Sequence, residues 1–149
     1  MPCPDALEWA DRVIRVALSG AGGKLATPII AAVASSSDLE LSGLYNPNRA
    51  GTEMAGQVVT GDASSISADV MVETAHPAVI FDNLTAWGEA GMATVVGTSG
   101  FTLERLDELR AMWGFSAPCL VVPNFSMGAV LMMRFATEAA EHFEAVEII

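Results

Sequence analysis

Residues 16–26 read Val16-Ala17-Leu18-Ser19-Gly20-Ala21-Gly22-Gly23-Lys24-Leu25-Ala26. The apolar residues before Ser19 predict a short buried strand, and residues 24–36 predict a helix. A glycine turn between a strand and a helix is the setting of a phosphate-binding loop, in which the backbone approaches a pyrophosphate at the helix N-terminus. The spacing departs from G-x-G-x-x-G, because Leu25 takes the last position and Ala26 comes one place later. A glycine turn without a ligand therefore remains an alternative.

The rest of the chain alternates between strand-like and helix-like segments. Strands are predicted at residues 13–18, 39–45, 69–73, 93–97 and 118–122, and helices at 24–36, 77–90, 102–113 and 128–143. Local signals support the boundaries: Pro77 suits a first helical turn, Gly91 follows a helix end, and Thr102 is a suitable N-cap. Residues 46–67 are rich in Gly, Asn, Ser and Thr and predict a loop. The alternation predicts an α/β fold, a Rossmann-type doubly wound parallel sheet.

Composition limits the classes of protein to which the chain could belong. Its 149 residues are 52% hydrophobic and 17% charged, which suits a packed domain and argues against disorder. The net charge of −11 argues against a nucleic-acid partner, and no apolar run reaches the length of a membrane span. The N-terminus lacks the pattern of a secretory signal, so we expect a cytoplasmic protein. Cys3 and Cys119 have the spacing of neither a disulfide framework nor a metal site.

Two positions bear on the choice of dinucleotide. Rossmann-type domains that select NAD often carry an acidic residue after the second strand, but Asn46 takes that position here and Arg49 follows it. This exchange favours the 2′-phosphate of NADPH over NADH, although an ordinary Asn-Pro turn with a solvated arginine is an equal alternative. Lys24, the only lysine in the chain, lies in the glycine loop and could contact the cofactor or simply be solvated.

The sequence offers no recognisable catalytic constellation of the Ser-His-Asp, Cys-His or paired-carboxylate kind. His76 precedes Pro77 at a predicted helix start, where positioning or simple exposure is expected, and His142 is expected to be a surface or packing residue. Met127, Met132 and Met133 flank an apolar helix face typical of a core or an interface.

Four segments resemble one family, that of 4-hydroxy-tetrahydrodipicolinate reductase, also called dihydrodipicolinate reductase. Residues 95–101, V-V-G-T-S-G-F, are similar to its V-V-G-T-T-G-F, and residues 123–133, P-N-F-S-M-G-A-V-L-M-M, to its P-N-F-S-I-G-A-V-L-M-M. Residues 20–26 are similar to its G-A-G-G-R-M-G, and residues 73–77 loosely to its D-F-T-x-P. Ser99, Ala26, Thr74-Ala75 and Asn46 depart from the family pattern. The departure at Thr74-Ala75 puts a nicotinamide contact in doubt, and the one at Asn46 puts the use of NADH in doubt.

The resemblance implies an oxidoreductase of diaminopimelate and lysine biosynthesis, which reduces 4-hydroxy-tetrahydrodipicolinate, a small dicarboxylate, with NADPH or NADH. It implies a homotetramer, and a catalytic His-His pair with a lysine beyond Ile149, so that residues 1–149 alone would be inactive. The expected organisation is an N-terminal arm (1–12), a dinucleotide-binding domain (13–125) and the start of a substrate and oligomerisation domain (126–149). The expected cofactor-binding residues are Gly20, Ala21, Gly22, Gly23, Lys24, Leu25, Asn46, Arg49, Gly97, Thr98, Ser99, Val122, Pro123, Asn124 and Phe125.

Two other functions remain open from the sequence. One is a short NAD(P)-binding module without catalysis. The other is a different NAD(P)-dependent oxidoreductase, such as an amino-acid dehydrogenase, against which the segment 123–128 argues.

Overall fold

The structure, a computed structural model, describes residues 12–143. Most of the predicted N-terminal arm and the predicted strand start at 145–149 lie outside this range. The strands are β1 (Ile14–Ser19), β2 (Leu39–Tyr45), β3 (Glu53–Met54), β4 (Gln57–Val58), β5 (Val70–Glu73), β6 (Ala93–Val96) and β7 (Cys119–Val121). The α-helices are α1 (Ala26–Ser35), α2 (Ile80–Glu89), α3 (Leu103–Met112) and α4 (Met127–Ala140). None of these helices is long and apolar enough to cross a membrane.

Five strands form one parallel sheet in the order β2-β1-β5-β6-β7. The chain first moves from β1 to β2 and then returns to the other side of β1, so the strand order reverses between β1 and β5. Such a reversal opens a crevice at the carboxyl ends of the strands, where α/β proteins bind ligands. The predicted doubly wound fold is thus confirmed.

Alternating side chains of the strands fill two cores. Leu18 and Leu44 face Ala26 of α1, on one side of the sheet. Ala17 and Met71 face α2 and α3 on the other side, where Trp87 is fully buried. This two-sided burial is the reason that β1 appears in the sequence as a continuous apolar run.

Three predicted boundaries need correction. Helix α1 begins at Ala26, because Lys24 and Leu25 belong to the turn that follows the glycines. The helix predicted from residue 77 begins as a 3-10 turn, Pro77–Val79, and continues as α2. The segment 46–67 is not wholly loop, because β3 and β4 form a short antiparallel hairpin whose turn places Ala55 and Gly56 at positive φ. These two strands have two residues each, which is too short for an alternating hydrophobic pattern to be recognised in the sequence.

Helix α4 lies apart from both cores. None of its residues is buried, and Met127, Met132 and Met133 are 73%, 46% and 47% exposed. Of the two expectations for these methionines, a core position is therefore wrong for the described residues, and an interface position stays a prediction. The sheet face that α1 covers over β1 and β2 is open at β7, where Leu120 is 60% exposed. Apolar surface thus remains uncovered on α4 and on β7.

Candidate functional site

The glycine loop turns sharply after β1. Gly20 and Gly22 have φ of 87° and 80°, in the region that favours glycine. The N–H groups of Gly20 and Ala21 both donate to the carbonyl of Tyr45, at 3.0 and 3.2 Å, and fasten the loop to the end of β2. The backbone N–H groups of Gly22, Lys24 and Leu25, just before α1, donate no hydrogen bond to any residue within 12–143. Free donors at a helix N-terminus form an anion-binding arrangement.

Two close approaches explain why glycine occupies these positions. A Cβ on Gly20 would lie 2.8 Å from Thr74 Oγ1 and 2.9 Å from the Thr74 backbone, because the loop packs directly on the end of β5. Thr74 Oγ1 donates to the carbonyl of Ser19 at 2.7 Å and holds the two segments together. A Cβ on Gly22 would meet the side chain of Arg49 at 2.5 Å. The Arg49 side chain therefore lies across the backbone of the glycine loop.

Asn46 has a structural role that the sequence did not indicate. Its Nδ2 donates to the carbonyl of Ala21 at 2.7 Å, and its Oδ1 accepts from the N–H of Asn48 at 3.1 Å. The side-chain amide therefore joins the end of β2 to the glycine loop. An aspartate at this position would lack the amide donor, so the exchange of acid for amide changes the packing of the loop as well as its charge.

A cleft of about 570 Å³ opens at the reversal of strand order. The predicted residues Gly20, Gly23 and Asn46 line it. Other predicted residues flank it: Lys24 and Leu25 are exposed beside it, Arg49 covers Gly22, and Ala21 is buried beneath the loop. The remaining lining residues are not among the predicted cofactor-binding residues: they are Ser19, Tyr45, Pro47, Asn48, Val79, Asp82 and Asn83, together with Thr74, Ala75 and His76 after β5.

His76 is exposed at the mouth of this cleft. Its Nδ1 accepts from the N–H of Ala78 at 3.2 Å, so its ring caps the 3-10 turn that begins at Pro77. This agrees with the positioning or exposure expected from the sequence. His142 is also exposed.

The two most distinctive family segments lie side by side at the ends of β6 and β7. A Cβ on Gly97 would overlap the ring of Phe125, so this ring packs directly against the glycine. Thr98 Oγ1 donates to the carbonyl of Ala75 at 2.9 Å, which connects the β6 loop to the cleft. Ser99, Pro123 and Asn124 are exposed, and the N–H of Val122 bonds to the carbonyl of Val96. These segments form a second region of the same sheet edge, next to the cleft and not part of its lining.

A buried carboxylate lies beneath the cleft. Glu73, at the end of β5, is fully buried. Its Oε1 accepts from the N–H of Ala75 at 2.7 Å, and its Oε2 accepts from Trp87 Nε1 at 2.8 Å and Asn83 Nδ2 at 3.1 Å. Tyr45 lies nearby, and its pKa is raised by burial and by the negative charges of Glu73 and Asp62. The signal in the sequence was a glutamate that ends an otherwise apolar strand.

No three His, Cys, Asp or Glu side chains of residues 12–143 are grouped so that they could hold a metal ion. A second cleft, of about 460 Å³, lies between α3 and β7 and includes Trp113 and Cys119. Burial raises the pKa of the Cys119 thiol, which makes it a weak nucleophile.

Comparison with known proteins places this geometry in a family. Residues 14–125 match the family described as dihydrodipicolinate reductase, N-terminus. A 4-hydroxy-tetrahydrodipicolinate reductase of Nocardia farcinica is 42% identical over 91% of this chain and 52% of the relative. One of Streptococcus pneumoniae is 41% identical, over 91% of this chain and 55% of the relative. The chain thus spans about half the length of the curated relatives it matches.

A solved structure agrees with the sequence relatives. The dipicolinate-bound dihydrodipicolinate reductase of Paenisporosarcina sp. TG-14 superposes with a TM-score of 0.68 at 28% identity, covering 88% of this chain and 55% of that chain. A parallel sheet with a glycine loop at its switch point is common to many nucleotide-binding proteins, but the family match extends over all five strands of the sheet. The chain therefore belongs to the dihydrodipicolinate reductase family, of which it carries the N-terminal domain, a Rossmann-type domain for binding a nicotinamide dinucleotide.

Proposed function

We propose that this chain is the cofactor-binding part of an enzyme that reduces 4-hydroxy-tetrahydrodipicolinate to tetrahydrodipicolinate with NAD(P)H, in diaminopimelate and lysine biosynthesis. The observation that carries the proposal is the cleft at the switch point, bordered by the glycine loop, in a chain that belongs to this family. Family membership also argues against the amino-acid dehydrogenase alternative.

The glycine loop is proposed to bind the pyrophosphate through residues 20–25. The fit rests on the N–H groups of Gly22, Lys24 and Leu25, which face no acceptor among the described residues. The N-terminus of α1 adds a partial positive charge, and the lone lysine of the chain stands beside it. These groups provide local positive potential for a dianionic pyrophosphate in a chain whose net charge is −11.

The nicotinamide end is proposed to lie toward residues 97–99 and 122–125. Two observations support this: Phe125 packs on Gly97, and Thr98 is bonded to the cleft residue Ala75. When bound, the cofactor would supply the hydride. Residues 97–99 and 122–125 would orient the nicotinamide end of the cofactor and exclude water from it. We further propose that the proton donor and the residues that bind the substrate carboxylates lie outside residues 1–149, with residue 126 onward beginning the domain that carries them.

The proposal includes a preference for NADPH. Asn46 removes the negative charge that would repel a 2′-phosphate, and the Arg49 side chain already lies over the loop, with its guanidinium available to a phosphate. For the whole enzyme we propose a homotetramer in the cytoplasm, acting on a small dicarboxylate.

The test is a fluorescence titration of the 149-residue chain with NADPH and with NADH, followed by an assay of turnover. We expect saturable binding of NADPH and no reduction of 4-hydroxy-tetrahydrodipicolinate. The Gly22→Ala variant should lose binding, because its Cβ meets Arg49 and φ is positive. Gly91→Ala is the matched control, since Gly91 also has positive φ but has open space around it, after α2. Failure of the unmodified chain to bind either cofactor would refute the proposal, and substrate reduction at ordinary enzyme rates would place the catalytic groups inside the chain.

A further inference from the structure

The Glu73 carboxylate has an unusual set of partners for a fully buried charged side chain. All three groups that bond to it are N–H donors, from Ala75, Asn83 and Trp87, and both of its oxygens act as acceptors. This is the bonding pattern of a carboxylate. No Lys, Arg or His of residues 12–143 forms an ion pair with it. Burying such a group is costly, so its retention calls for an explanation beyond packing.

The partners of Glu73 belong to different walls of the cleft. Ala75 lines the cleft after β5, and Asn83 lines it from α2. Glu73 bonds to both, through different oxygens, and therefore fixes the spacing between the β5 loop and the helix.

A third connection runs through Trp87 to the glycine loop. The Trp87 indole donates to Glu73 and packs edge-on against Tyr45, with ring centroids 5.1 Å apart and an interplanar angle of 86°. Tyr45 lines the cleft, and its backbone carbonyl accepts from the N–H groups of Gly20 and Ala21. Trp87 thus contacts, through Tyr45, the residue to which the glycine loop is hydrogen-bonded.

A fourth connection reaches β6. The carbonyl of Ala75 accepts from Thr98 Oγ1, so the residue whose N–H is held by Glu73 also anchors the β6 loop. Hydrogen bonds therefore link this one buried side chain, directly or through one neighbour, to the ends of β5 and β6 and to α2, and the ring contact of Trp87 with Tyr45 links it to the end of β2.

We infer that Glu73 is a positioning residue for the dinucleotide, which sets the shape of the cleft from beneath without contacting the cofactor. The inference rests on the proposed function, because it presumes that the cleft binds NAD(P)H. It predicts that removing hydrogen bonds accepted by the Glu73 carboxylate lowers the affinity for NADPH and for NADH equally. The reason is that both cofactors would contact the same cleft walls, which the carboxylate holds in place.

The decisive variant is Glu73→Gln. The amide keeps one acceptor oxygen but turns an NH2 group toward either Ala75 N–H or the pair of side-chain donors, so donors face donors at one end. Trp87→Phe is a milder second variant, which keeps an aromatic ring against Tyr45 and removes a single donor. Glu89→Gln is the matched control, because Glu89 is an exposed glutamate at the end of α2.

The measurement is the Kd of the 149-residue chain for NADPH and for NADH, at a temperature where circular dichroism shows each variant fully folded, together with its Tm. We expect Glu73→Gln to raise both Kd values about tenfold, and Trp87→Phe about threefold. Glu89→Gln should leave both unchanged.

Two results would overturn the inference while leaving the proposed function intact. Wild-type Kd values in folded Glu73→Gln and Trp87→Phe, with only Tm lowered, would mean that Glu73 stabilises the fold and nothing more. A loss confined to NADPH would show an effect at the 2′-phosphate and not on the shared walls. If Glu73→Gln does not fold, the test rests on Trp87→Phe, and unchanged Kd values of this variant for both cofactors would contradict the inference. Failure of the unmodified chain to bind either cofactor is a distinct result, which refutes the proposed function and this inference with it.

Discussion

Arg49 lies across Gly22, with its Cδ only 2.5 Å from where a Cβ would stand. The contact depends on both residues, because any side chain at position 22 would displace the arginine. An exposed arginine in an acidic chain would ordinarily be a solvated side chain, but this one lies on the loop proposed to bind pyrophosphate. The proposed preference for NADPH can therefore be tested at this one residue.

The Arg49→Ala variant should weaken NADPH binding by roughly 10- to 100-fold, because one charge-assisted contact to a phosphate is lost. NADH binding should change much less, since NADH lacks the 2′-phosphate. Titration with both cofactors measures the difference. Arg110→Ala is the control, as Arg110 is 74% exposed and pairs with Asp107 on α3. Equal losses for the two cofactors would contradict an Arg49–phosphate contact.

At the level of elements, Asp69 fastens the start of the sheet. It precedes β5, its N–H donates to the carbonyl of Arg15 in β1, and its carbonyl accepts from Ala93 in β6. Its carboxylate bonds to Arg12 at 2.7 Å and to the backbone N–H of Arg15 at 2.9 Å. Burial alone would raise the pKa of Asp69, but the hydrogen bonds from Arg15 and the charges of Arg15 and Arg12 outweigh it and lower the pKa.

This lowered pKa gives a pH dependence of definite sign. The carboxylate stabilises the fold at pH values above its unfolded pKa of about 4, and the contribution is lost as pH falls through the lower folded pKa. Asp69→Asn should therefore reduce the free energy of unfolding at pH 7 by about 1 kcal/mol, a small value because both guanidinium groups are about half exposed.

Urea unfolding at pH 7 and at pH 3 measures the difference. The gap between wild type and Asp69→Asn should shrink at pH 3. Asp107→Asn is the control, since Asp107 is 73% exposed in its pair with Arg110, and it should change little. A gap that stays constant with pH would contradict the assignment.

For the whole molecule, the notable feature is the apolar surface that α4 and β7 expose. Helix α4 exposes Leu131 by 41% and Phe135 by 61%, and Leu120 of β7 is 60% exposed. Contiguous exposed apolar surface promotes association. The chain spans about half the length of the curated relatives it matches, so those relatives contain residues that have no counterpart among these 149.

We expect the 149-residue chain to self-associate at micromolar concentration. Leu131→Glu and Phe135→Glu should shift it toward the monomer, because a charge on the apolar surface opposes burial. Thr137→Glu is the matched control, which places the same charge at an exposed polar position of α4. Sedimentation velocity measures the distribution. A monodisperse monomer for the unmodified chain would contradict the prediction.

The sequence by itself determined the alternation of strands and helices, the parallel sheet and the location of the glycine loop. These features depend on periodicity and on short-range signals such as Pro77, Gly91 and Thr102, which act within a few residues. The side chain of Thr102 indeed caps α3 by accepting from the N–H of Arg105. The family segments follow β6 and β7, at the end of the sheet where α/β proteins generally bind ligands.

Only the tertiary structure decided how the site is assembled. Thr74 contacts Ser19 across 55 positions of sequence, and Asn46 bonds to Ala21 across 25. The residues next to Glu73 in sequence do not distinguish it from an ordinary exposed charged residue at the end of a strand. Its partner Trp87 lies 14 positions away, on a helix whose placement depends on sheet order. Contacts of this kind depend on which strands become neighbours, and that is settled by burial of the whole sheet, not by local propensity.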